Sequence, residues 1–122
     1  MPIDTGNTTA PAGAEERFRV AVGGTEGGLI DQHFGQAEEF LIYGVDTASA
    51  RLLERRRIDA HAEDGEDRRA TIIRMLKDCR TLLVAKVGAA PRQMLAEAGI
   101  EASDRYAGKP VDAALAELAA TA

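Results

Sequence analysis

The run TLLVAKVG, Thr81 to Gly88, is apolar without alternating, the mark of a strand covered on both faces. Such a strand belongs in the middle of a sheet and needs helices around it, and the flanking segments supply them. Upstream, EDRRATIIRMLKDC sets Ile72, Met75, Leu76 and Cys79 at i, i+3, i+4 and i+7, with acids leading and Lys77 near the end, as a helix macrodipole favours. Downstream, PRQMLAEAG is a short helix bracketed by Pro91 in its first turn and Gly99 past its last periodic residue. IEASD then reads as a brief strand. Pro110 opens a final helix whose buried stripe is Val111, Leu115 and Leu118.

The first half reads as strands. RFRVAVGG puts Phe18, Val20 and Val22 on one face at period two, with Ala21 making the other face semi-buried. FLIYGVD and RLLERRRI, joined by TASA, make a hairpin whose second strand carries Arg55, Arg56 and Arg57 as an exposed edge. His61, in DAHAEDGED, falls in a solvated acidic loop. The order βββαβαβα, with right-handed crossovers, predicts a single α/β domain: a mixed five-stranded sheet of order 3-2-1-4-5, antiparallel at one edge and flanked by helices. A chain of 122 residues with 45% hydrophobic content supports one core. Residues 1–15, rich in Thr, Ala, Gly and Pro with neither period, read as a flexible N-terminal tail, and 16–122 as the domain.

In such a sheet the connections leaving strands 1 and 4 diverge, and a ligand crevice forms beyond their carboxyl ends. Those ends are the loops Gly23 to Gly35 and Gly88 to Pro91, and the first carries His33, one of two histidines in the chain. Several chemistries fail there. GGTEGG has neither a Gly-Lys-Ser/Thr ending nor GxGxxG spacing, so it is no phosphate or dinucleotide loop. No GxSxG is present, and Cys79 lies on an apolar helical face, so His33 has no nucleophile to activate. Asp31 and Asp46 could bind a divalent metal only if the fold brought them together. The chain is therefore expected not to be an enzyme. Its formal net charge of -5 disfavours a nucleic-acid partner. A single cysteine rules out an internal disulfide, and no apolar run reaches the roughly 18 residues of a membrane span, so a cytoplasmic protein with no membrane partner is expected.

Three segments, GGLIDQHFGQAEEFLIY, ATIIRMLKDCRTLLVAKVG and AGIEASDRYAGKPVDAAL, together resemble the nitrogenase iron–molybdenum cofactor biosynthesis domain shared by NifX, NafY and the C-terminal part of NifB. The HFG after the glycine-rich loop is the most specific element. The resemblance implies a ribonuclease-H-like fold that holds the iron–molybdenum cofactor or its iron–sulfur precursor between assembly steps, with nitrogenase-assembly proteins as partners. It marks His33 as the candidate metal ligand, with Phe34 and Gly35 as its scaffold. Some relatives carry cysteines near residues 61 to 62 and just before Pro91, where this chain has His61, Ala62 and Ala90. The CxxxCxxC site of the radical part of NifB is absent from this sequence.

An exposed imidazole suits a carrier, since it is an exchangeable ligand where several thiolates would hold a cluster too tightly to pass it on. An anionic cluster would further gain from N–H groups at Gly27 and Gly28 and from Arg92, Arg105 and Lys109, with Asp31 orienting the imidazole. The alternative is a non-catalytic interaction or regulatory module of the same fold that docks on assembly proteins without holding a cluster.

Overall fold

A computed structural model describes residues 18–46 and 49–120. The expected tail, 1–15, lies outside the described residues. The elements run β1 (Phe18–Val22), β2 (Glu39–Val45), β3 (Ala50–Arg57), α1 (Ile58–His61), α2 (Arg68–Met75), β4 (Thr81–Leu83), α3 (Ala89–Glu97), β5 (Glu101–Ser103) and α4 (Val111–Ala120). They build one mixed sheet of order β3-β2-β1-β4-β5, as expected. β1 pairs antiparallel with β2 and parallel with β4, so Ala21 stands between Ile42 and Leu82. The hairpin partner β3 joins β2 through a register shift at Ile42/Tyr43.

Alternation along β1 divides the core. Ala21 packs with Phe40, Ile42, Leu82, Ile72 and Leu95 under α1, α2 and α3. Val20 and Val22 pack with Leu41, Leu83, Val111 and Leu115 under α4. Each large side chain removed fully from water here contributes roughly 1.5–3 kcal/mol, which outweighs the modest propensity of such short helices. Ala21 is fully buried rather than half-covered, because both faces of the sheet carry helices.

Five local expectations change. RLLERRRI does not continue as strand through Ile58, whose buried side chain turns the chain into α1, and His61 is the last residue of that helix rather than part of the acidic loop. The helix expected to reach Cys79 stops at Met75; Leu76 has left helical geometry, and Cys79 N–H closes a turn onto Leu76 O. Strand β4 ends at Leu83, well short of Gly88. Arg56 is not exposed: it retains 9% of its surface and is held by polar partners described below.

Candidate functional site

The connection from Gly23 to Ala37 passes over the end of β1 from one face of the sheet to the other. Its first part lies on the α4 side. There Ile30 N–H donates to Lys109 O, Gly108 N–H to Ile30 O and Val111 N–H to Gly28 O, and the Ile30 side chain enters the core beneath α4. Its second part lies on the α2 side, where Phe34 and Ala37 enter the other core cluster. The crossing is stitched to β4 and the residues that follow it by Gly23 N–H on Leu83 O, Ala85 N–H on Gln32 O and Phe34 N–H on Lys86 O. Two of the glycines have backbone reasons. A Cβ at Gly24 would sit 2.5 Å from Leu29 O, and Gly27 adopts φ +73°, which side-chain-bearing residues rarely do.

The second part borders a cavity of about 470 Å³. His33, Phe34, Gly35 and Gln36 line it from the loop, Arg68 and Arg69 from the start of α2, Lys86 and Gly88 from the connection between β4 and α3, and Pro91 from the first turn of α3. His33 is exposed while its neighbour Phe34 is buried, so the loop is anchored one residue beyond the imidazole. Behind the imidazole the chain turns tightly, since His33 O accepts from both Gln36 N–H and Ala37 N–H. The Arg68 guanidinium donates to Phe34 O at 3.5 Å and to Ala37 O, capping that turn from α2. Arg69 lies 3.8 Å from Asp67.

Only part of the set expected from sequence is gathered here. His33, Phe34, Gly35 and Pro91 meet as the topology required. Gly27 and Gly28 do not line this cavity, and the Gly28 N–H is spent on Thr25 O. Arg92 turns toward β5, donating to Ala102 O at 2.9 Å and reaching Asp104 at 3.4 Å. Arg105 and Lys109 stand over the Tyr106 ring, 5.5 and 5.9 Å from its centroid. Asp31 is exposed, and no hydrogen bond joins it to His33 among the described residues. Asp46 accepts from Ser49 N–H in the hairpin turn and does not line this cavity. The cations at the cavity are instead Arg68, Arg69 and Lys86. The helix start that carries Arg68 and Arg69 was legible; the strand end before Lys86 and the shared direction of the three were not.

Beyond the far end of α2, Cys79 is buried, and burial together with the neighbouring Asp78 carboxylate pushes its thiol up to about 12. It is a protonated core residue at neutral pH, not a thiolate ligand. Among the described residues no three His, Cys, Asp or Glu side chains gather as a metal site, and no helix is long and apolar enough to cross a membrane.

Residues 16–121 match the family model described as dinitrogenase iron-molybdenum cofactor. The chain is similar to the FeMo cofactor biosynthesis protein NifB of Bradyrhizobium diazoefficiens, 41% identical over 91 residues that make up 72% of this chain and 18% of that protein. The NifB of Rhodobacter capsulatus is 42% identical over 84% of this chain and 23% of its own length. That of Frankia alni is 37% identical over 98% of this chain and 26% of its own. The chain thus spans only 18% to 26% of these curated relatives. Among solved structures it resembles the apo form of the orange protein from Desulfovibrio gigas, with a TM-score of 0.61 over 82% of this chain and 85% of that one, at 24% identity, a likeness of fold.

Proposed function

The chain belongs to the dinitrogenase iron-molybdenum cofactor family, and on that premise we propose that it binds the iron–molybdenum cofactor or its iron–sulfur precursor as cargo and carries it between assembly steps. The observation that carries this reading is His33: an exposed imidazole on a loop pinned to both core clusters, at the mouth of a cavity bordered by three cations. The pinning holds the ligand without ordering cost at binding, which is how a weak single contact becomes useful. The cations and the buried Phe34 offer an anionic cluster charge and an apolar wall. With Cys79 protonated in the core, one imidazole is the metal contact, and its exchangeability suits release to an acceptor.

In this role the protein performs no bond-making of its own, works in the cytoplasm and hands its cargo to nitrogenase-assembly proteins. The test is anaerobic titration with the isolated cofactor. His33→Ala should weaken uptake tenfold or more while costing under about 1 kcal/mol in unfolding free energy, because the side chain is exposed. Equal uptake by parent and His33→Ala would remove His33 from the site. No uptake by the parent would favour the non-catalytic docking module.

A further inference from the structure

Lys86 and His33 are partners in an isolated parallel bridge, held by Phe34 N–H on Lys86 O at 2.9 Å and Ala85 N–H on Gln32 O at 2.8 Å. Paired residues on neighbouring extended segments stand roughly 5 Å apart and project their side chains to the same side. Both are exposed, and both line the same cavity. The three cations there differ in what they already hold. Arg68 spends its guanidinium on two carbonyls of the His33 turn, and Arg69 leans toward Asp67. Lys86 makes no ion pair and no side-chain hydrogen bond with any described residue.

Among the described residues, a chain of net charge -5 thus leaves one ammonium without an ion pair beside the imidazole at this cavity. We infer that Lys86 is the charge filter of the site: its ammonium draws an anionic cargo toward the metal contact at His33 and repels bare divalent cations from that imidazole. The inference rests on the carrier reading for its cargo and on geometry alone for its cation arm. Lysine suits the role better than arginine bound to carbonyls, because its compact charge sits on a flexible stem and adapts to an acceptor whose position varies. The sign of the effect follows from Coulomb's law. A positive charge near a metal site lowers affinity for a free dication and raises it for a cluster whose net charge is negative. At an exposed site both effects shrink as salt screens them.

The experiment compares the parent with Lys86→Met and Lys86→Arg, using the isolated iron–molybdenum cofactor under anaerobic conditions and Zn²⁺ alone as a second probe, each at low and high salt. Zinc is followed through the amide shifts of His33 and Phe34. Lys86→Met should weaken cofactor uptake about tenfold and tighten zinc binding severalfold at low salt, with both differences shrinking at high salt; Lys86→Arg should behave as the parent. A purely structural role would move both ligands in one direction. If Lys86→Met shifts both the same way, or neither, the filter is wrong and the carrier reading stands on the parent's own uptake. If the parent takes up no cofactor, the carrier reading falls and zinc alone decides: tighter zinc in Lys86→Met upholds the cation-repelling filter, and unchanged zinc overturns it.

Discussion

The two ends of α2 hold arginines in opposite ways. At its start, Arg68 and Arg69 face an open cavity with His33 and Lys86. Past its other end, Arg56 reaches from β3 and both terminal nitrogens are engaged: it donates to Met75 O at 2.6 Å, to both Asp78 oxygens at 2.7 and 2.8 Å, and to Glu54 at 3.1 Å. Met75 O is one of the carbonyls a helix end leaves without an internal partner, so Arg56 closes the helix as well as neutralising Asp78. Arg19 adds a second cation to Asp78 at 2.8 Å. A charge enclosed by acceptors stabilises a fold; a charge left at a cavity rim can serve a ligand. The contrast shows how one short helix separates a structural end from a binding end.

The contrast would break first at Arg56. Arg56→Met strands Met75 O and the partly buried Asp78, and because the Asp78 side chain is still 43% exposed the loss should be near 2 kcal/mol, below the full cost of a buried broken pair. Urea denaturation would show it as a lower midpoint, and a loss under about 0.5 kcal/mol would mean the clamp is ornamental.

Acid sharpens the same comparison. The Arg56 guanidinium, aided by Arg19, holds the Asp78 carboxyl well below the usual carboxylate range against the opposing pull of burial. The folded state therefore binds this proton more weakly than the unfolded chain does. Its contribution is fully present above about pH 4 and is lost as pH falls below that value. Glu66, near the start of α2, is drawn down to about 2 by Arg74 and Thr71 and titrates in the same sense. The discriminating measurement is thus the difference between parent and Asp78→Asn, which should narrow from pH 6 to pH 3; a constant gap would deny the linkage.

Cys79 sits on the structural side of the divide. Cys79→Ser should cost about 1 kcal/mol through a hydroxyl placed in the core, while leaving cofactor uptake intact. Alkylation should require denaturant, since both burial and the protonated state protect the sulfur. Rapid labelling of the native protein would move the residue to the other side of the comparison. The smallest effect is expected at Arg69, whose side chain is 47% exposed and pairs loosely with Asp67: Arg69→Ala should change stability by less than about 0.5 kcal/mol.

Periodicity made the sheet legible. Alternation in β1, the apolar run TLLVAKVG and the stripe of α4 are each written within a few consecutive residues, and the sheet order follows from short connections and parallel crossovers. The same reasoning placed His33 and Pro91 at one end of the sheet. It misread RLLERRRI, because an arginine on a strand looks solvated until a helix end arrives to cover it, and Arg56 becomes buried only when the end of α2 brings Met75 O and Asp78 onto it. It also drew the cations from Arg92, Arg105 and Lys109, which lie in plausible loops but turn toward Ala102, Asp104 and Tyr106.

Lys86 escaped for a related reason: inside TLLVAKVG it reads as part of a covered strand, whereas the strand stops at Leu83 and Lys86 pairs with His33 alone as an exposed bridge. The sequence by itself determined which residues are apolar, at what period, and therefore the strands, most of the helices and their order. Tertiary structure alone decided that the loop after β1 crosses from the α4 face to the α2 face, and hence which side chains share a cavity. The physical reason is range: periodicity is set by neighbours along the chain, whereas the direction of a loop is set by hydrogen bonds to residues some fifty to eighty positions away, such as Phe34 to Lys86 and Ile30 to Lys109.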